Sequence, residues 1–108
     1  MKSCPNCQNR VLQVVQTPEA SVILDICPNC NGTWFDEDDL GDLVGNPRSV
    51  KLKVQQALRS SACSDKVSPI SGKAMLEIPY RGKIPVYYCE ESKGIWIEQS
   101  EIRAVLGG

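Results

Sequence analysis

The chemistry this chain could perform is concentrated in two short motifs, Cys4-Pro5-Asn6-Cys7 and Cys27-Pro28-Asn29-Cys30. In a tight C-x-x-C turn two thiolates converge on one point, while backbone N–H groups just beyond them are free to donate to sulfur. The 19 residues between the pairs are enough for a hairpin that brings the two turns face to face. Four soft thiolates in a tetrahedron are what Zn²⁺ favours, and such a set leaves no ligand position open. The spacing therefore predicts one structural zinc per chain, held by Cys4, Cys7, Cys27 and Cys30. Iron could occupy the same thiolate tetrahedron and would colour the protein. A disulfide framework is the competing use of six cysteines. The start, Met1-Lys2-Ser3-Cys4-Pro5, lacks the apolar region of a secretory signal, so a cytoplasmic chain with reduced thiols is expected. No stretch approaches the roughly 20 apolar residues of a membrane helix, and no membrane insertion is expected.

Positioning these motifs requires a small scaffold. Strands are predicted at Val11 to Gln16 and Ser21 to Ile26, turning at Thr17-Pro18-Glu19-Ala20. Asp36 to Val44 follows as a short helix with an acidic first turn. Leu40, Leu43 and Val44 give it helical spacing, and Gly45 is its stop. A unit of about 45 residues is too small for a hydrophobic core alone to hold it. Structural zinc contributes on the order of 10–16 kcal/mol of apparent binding energy, enough to fold the unit.

The second half repeats the first. Residues 89–105 align without gaps on 27–43, setting Cys89 on Cys27, Gly94 on Gly32, Trp96 on Trp34, Glu98 on Asp36, Ile102 on Leu40 and Val105 on Leu43. Upstream, Ser68-Pro69-Ile70-Ser71 stands where Cys4-Pro5-Asn6-Cys7 stood. Strands are predicted at Ala74 to Pro79 and Ile84 to Cys89, with a turn at Tyr80-Arg81-Gly82-Lys83. Of the four ligand positions only Cys89 survives; Ser68, Ser71 and Ser92 replace the others, so no metal is expected there. Tyr80, Tyr87, Tyr88, Trp96, Ile78, Ile84, Val86, Ile95 and Ile97 supply the alternative, each worth roughly 1.5–3 kcal/mol when buried. That core is expected to be shared with the first unit and with a linker helix over 47–59, whose Val50, Val54, Ala57 and Leu58 share a face. Ser60 to Ser64 are read as a loop.

Charge is uneven although the total is −1. Residues 1–45 sum to −5, 46–66 to +4 and the remainder to 0. A nucleic-acid reader usually carries a basic surface, and here the only basic segment is the linker, with Arg48, Lys51, Lys53 and Arg59. Trp34 and Trp96 are expected to pack beneath turn and helix, Gly32 and Gly94 to supply backbone freedom, the acidic run Asp36 to Asp42 to be a solvated helix start, and Cys63 and Cys89 to be buried or idle. There is no histidine, open metal site or phosphate-cradling loop, so no enzymatic activity is expected.

The residues C-P-N-C, then D-I-C-P-N-C-N-G-T-W-F-D, then an acidic helix containing leucine, resemble the transcription-factor-IIB-type zinc-ribbon family of small bacterial and archaeal proteins. The resemblance covers residues 4–44, with residues 68–106 as a degenerate copy. It implies a zinc-ribbon or rubredoxin-like fold and zinc ligation by Cys4, Cys7, Cys27 and Cys30. The expected architecture is thus small α+β and metal-stabilised: a ribbon unit at 1–45, a linker helix and loop at 46–66, and a metal-free ribbon repeat at 67–108. Macromolecular interaction, chiefly with another protein, is the expected role. Nucleic-acid binding through the basic linker helix is the alternative, and a thiol redox switch is the third reading.

Overall fold

Short apolar-alternating segments around tight turns build one antiparallel sheet in the computed structural model, which describes residues 2–7, 10–18 and 22–107. The elements run β1 (Gln13–Gln16), β2 (Ile23–Ile26), β3 (Thr33–Phe35), α1 (Asp39–Val44), α2 (Pro47–Leu58), β4 (Ala62–Val67), β5 (Ala74–Tyr80), β6 (Ile84–Tyr88), β7 (Ile95–Ile97) and α3 (Gln99–Gly107). The seven strands are ordered β1-β2-β3-β7-β6-β5-β4. Both halves therefore contribute to a single sheet, joined where β3 pairs with β7 and Trp34 lies opposite Trp96.

Side chains alternate across this sheet, and the two faces differ. On one face Leu24, Phe35, Ile78, Val86, Ile95 and Ile97 pack with Leu40 of α1, Val50, Val54 and Ala57 of α2, and Val105 of α3. The core expected to be shared between the halves and the linker helix is this one. On the other face Trp34, Trp96 and Met75 pack with Leu12, Cys4, Cys27 and Cys89. Helices cover one side of the sheet; cysteine turns and tryptophans cover the other.

Local chemistry explains most boundaries. Asn46 caps α2 by accepting from the Ser49 N–H at 3.2 Å, with Pro47 in the first turn. Gly45 ends α1 in the left-handed conformation, at φ 78°. The β5–β6 hairpin turns at Arg81 and Gly82, both with positive φ, a pairing whose twist matches the flanking strands.

Several expectations need correction. β1 and β2 are shorter than predicted, Val11 making only an isolated bridge to Ser3. The residues Glu19, Ala20 and Ser21 of the first turn and strand lie outside the described residues. α1 begins at Asp39, three residues after the predicted start, and Asp38 at its N-cap position makes no side-chain cap bond. The predicted loop at Ser60 to Ser64 is in part strand, since β4 starts at Ala62 and pairs with β5. Its sequence, Ala-Cys-Ser-Asp-Lys-Val, is polar because it is the exposed outer strand of the sheet. The central strands β3 and β7 were not foreseen.

Candidate metal centre

The two C-P-N-C turns are carried together at the open end of the first hairpin, where Gln13 of β1 pairs with Ile26 of β2. Cys4 directly follows Ser3 of the Ser3–Val11 bridge, and Cys27 directly follows β2. Each turn closes through main-chain bonds: Cys4 N–H to Arg10 C=O at 3.0 Å, and Cys27 N–H to Gly32 C=O at 3.0 Å. Together they bring Cys4, Cys7, Cys27 and Cys30 into one cluster, with all four Sγ atoms within 4.8 Å of one another. Zn–S bonds of 2.3 Å in a tetrahedron imply sulfur–sulfur edges of about 3.8 Å. The Cys4–Cys30 edge is 3.7 Å. The donor set fits zinc in type, number and size.

Hydrogen bonds prepare these sulfurs to carry negative charge. Cys4 Sγ accepts from the N–H groups of Asn6 at 3.3 Å and Cys7 at 3.2 Å, and Cys27 Sγ accepts from Asn29 N–H at 3.4 Å. The Asn29 side-chain amide donates to Cys7 Sγ at 3.2 Å, crossing from one turn to the other. Four thiols packed this closely cannot all ionise without a cation. Burial and the neighbouring thiols hold Cys4 above its ordinary pKa; burial and the charge on Cys27 do the same to Cys30. Burial also opposes ionisation of Cys27, but N–H donation from Cys30 and Asn29 and the thiols of Cys4 and Cys30 bring it down to about 7. Zinc bound here would supply the balancing positive charge.

In the second half the turn at Cys89 has the main-chain bonding of the turn at Cys27. The turn at Ser68 closes differently, with Ser68 N–H to Lys73 C=O at 2.9 Å, and the donor set is different. Ser68 Oγ accepts from the N–H groups of Ile70 and Ser71, as Cys4 Sγ does from Asn6 and Cys7. Cys89 N–H bonds Gly94 C=O at 2.9 Å, as Cys27 bonds Gly32. Asn31 and Lys93 occupy matching left-handed positions, at φ 61° and 62°. Inside the cage the Cys89 sulfur lies 3.7 Å from Ser71 Oγ and 3.5 Å from Ser92 N. Burial opposes its ionisation, but donation from Ser68, Ser92 and Ser71 brings its pKa down to about 7.

The glycines after each turn have a role that sequence reasoning misassigned. Gly32 and Gly94 have no positive φ; the left-handed residues are Asn31 and Lys93 just before them. What the glycines provide is space. A methyl group on Gly32 would come within 2.8 Å of Cη2 of Trp96, and one on Gly94 within 2.6 Å of Cη2 of Trp34. Each tryptophan, fully buried, thus roofs the turn of the opposite half.

Lys2, Asn6, Asn29, Lys66 and Glu98 surround the centre and were not singled out from sequence. Lys2 Nζ bonds buried Asp25 at 2.8 Å. The recurring Asn in both C-P-N-C motifs, and the acid two residues after each tryptophan, were the available signals. Trp34 Nε1 donates to Asp36 at 2.8 Å, and Trp96 Nε1 donates to Glu98. Of the basic linker residues, Arg48, Lys51 and Arg59 are exposed and Lys53 is half-buried. Lys51 pairs with Asp38 at 3.5 Å, so part of the basic charge faces the acidic turn. Cys63 is exposed and Cys89 is buried. No helix among the described residues is long and apolar enough to cross a membrane.

Comparison with known proteins agrees with the geometry: a family model described as a transcription factor zinc-finger, of the zinc-ribbon type, matches residues 3–45. Neither a curated protein nor a solved structure matches the chain.

Proposed function

We propose, from the match of the zinc-ribbon family model to residues 3–45, that the protein is a non-catalytic, cytoplasmic adaptor that binds another protein through a fold fixed by zinc. The observation carrying this reading is the closure of the metal centre. All four ligand positions are taken by cysteine sulfur, leaving zinc no site to activate water or polarise a substrate. The zinc then serves to hold a surface. Val14 is 70% exposed and Ile23 54%, on adjacent strands at the outer edge of the sheet, where one side of β1 has no partner strand among the described residues. Free edges with apolar side chains are common sites of strand addition by a partner.

The layout belongs to the same proposal. Residues 1–45 form the metal-bound ribbon, 46–66 the connecting helix and its exit, and 67–108 a ribbon repeat held by Ser68, Ser71, Cys89 and Ser92 in place of metal. A half released from metal ligation has surface free to diverge toward a partner.

Affinity capture with the zinc-loaded chain, beside a Val14→Asp/Ile23→Asp variant, tests the adaptor reading. A protein retained by the wild-type chain and lost by the variant is the expected result. Nucleic acid recovered instead, with affinity falling steeply as salt rises, would favour the linker helix with Arg48, Lys51, Lys53 and Arg59 as the contact. The partial neutralisation of Lys51 by Asp38 weighs against that alternative.

A further inference from the structure

The most connected polar group outside the cage belongs to the half that lacks cysteine ligands. Glu98 directly follows β7, yet its carboxylate reaches the first C-P-N-C turn, 92 residues away in sequence. The Asn6 side-chain amide donates to both of its oxygens, at 2.6 and 2.8 Å. Trp96 Nε1 donates to Oε2, fixing the carboxylate from its own side. Lys66 completes the group: its ammonium donates to Asn6 Oδ1 and lies 3.8 Å from Glu98 Oε1. All four side chains are buried or half-buried.

Asn6 is where this network meets the metal centre. Its main-chain N–H donates to Cys4 Sγ at 3.3 Å, and its side-chain nitrogen lies 4.0 Å from Cys30 Sγ. Asn29, at the same place in the other turn, donates its side-chain amide to Cys7 Sγ. Glu98 and Lys66 together fix both ends of the Asn6 amide and thereby the turn between two of the ligands. The mirror position shows no such clamp. Asp36 accepts from Trp34 and lies near Lys2, and the residue standing in place of Asn6 is Ile70, which has no side-chain donor.

We propose that Glu98, with Lys66, is a positioning residue for the zinc centre: the second half clamps the first C-P-N-C turn through Asn6 and slows loss of the metal. This rests on the four-cysteine zinc site and not on the adaptor role. Groups that hydrogen-bond around ligands typically contribute 10–100-fold to metal affinity. Glu98 acts one residue further out, so the lower end applies. By linkage, zinc bound in the first half stabilises the docking of the second.

The test is the rate of zinc release from the full-length, zinc-loaded chain into excess chelator, read with a metal-sensitive dye. Glu98→Ala should release zinc about tenfold faster than wild type. Glu98→Gln and Lys66→Met, which keep side-chain bulk, should fall between. Two controls separate positioning from general destabilisation. Lys73→Ala removes the exposed Lys73–Glu91 pair and should leave the rate unchanged. Ala57→Gly weakens the helix-side core, far from the cage, and should lower thermal stability without speeding release. Glu98→Ala folded and releasing zinc at the wild-type rate would overturn the clamp, as would Ala57→Gly accelerating release equally. If Glu98→Ala does not fold, wild-type rates in both Glu98→Gln and Lys66→Met overturn it. A wild-type chain that binds no zinc would overturn the metal centre itself, and the clamp with it.

Discussion

The turn at Cys27 in the first half and the turn at Cys89 in the second carry the same main-chain bonds, while the contents of the two cages differ. In the first cage four sulfurs converge within 4.8 Å of one another; in the second, one sulfur faces serines. The left-handed residues Asn31 and Lys93 and the tryptophan roofs are kept in both. A turn geometry that zinc holds in one half is thus held in the other by hydrogen bonds between serines and Cys89 and by apolar packing. The substitution is possible because the halves are not independent: they share the helix-side core and the β3–β7 pairing, so the second cage is supported from outside.

The largest effect that would break this comparison is removal of the metal. Stripping zinc with a chelator, or replacing Cys27 with Ser, should cost on the order of 10 kcal/mol of apparent stabilisation. Nuclear magnetic resonance should then show residues 2–45 losing their dispersed signals; a fully ordered first half without metal would refute the role assigned to it. Nearly as large is the converse. Ser68→Cys/Ser71→Cys/Ser92→Cys completes a second four-cysteine set on a matching backbone, and should raise bound zinc from one to two per chain by native mass spectrometry. Retention of one zinc would mean that the second cage differs in more than its donors.

Smaller effects sharpen the comparison. Gly32→Ala and Gly94→Ala both push a methyl group into a fully buried tryptophan, and overpacking of this kind costs about 1–3 kcal/mol. Chemical denaturation of the zinc-loaded protein should find both destabilising, since the roofs are reciprocal and independent of metal. A glycine whose replacement is neutral would show that its roof yields. The smallest effect concerns pH. Cys89 ionises more readily in the folded state, at about 7, because the serines donate to its thiolate. A folded pKa below the unfolded one adds stability above the unfolded value, and this is lost as pH falls through the folded value. Stability of the wild type relative to Cys89→Ala should therefore rise between about pH 7 and 9, by about 1–2 kcal/mol. A flat difference across that range would remove the charged thiolate from the account.

Legibility in the sequence followed the range of the interactions. The metal ligands were readable because C-x-x-C pairs are local and no other residue type competes for the role. The hairpins and α2 were readable from alternation, turn residues and the spacing of Val50, Val54 and Ala57. β3 and β7 were not: Thr-Trp-Phe and Ile-Trp-Ile are three residues long and buried on both faces, so they carry no alternation. β4 was missed for the opposite reason, as an exposed outer strand with almost no apolar signal. The roles of Gly32 and Gly94 depend on tryptophans across the molecule, and the Asn6–Glu98 contact joins residues at opposite ends of the chain. Neither spacing nor propensity encodes such pairs. The alignment of residues 89–105 on 27–43 gave no sign that the two halves join in a single sheet.

The most direct measurement is the metal content of the folded wild-type chain, by elemental analysis and native mass spectrometry on one sample. One zinc per molecule, lost when Cys4, Cys7, Cys27 or Cys30 is replaced and unaffected by Cys89→Ala, is the predicted result. A folded chain carrying no metal, or carrying two, would contradict the division of labour between the halves.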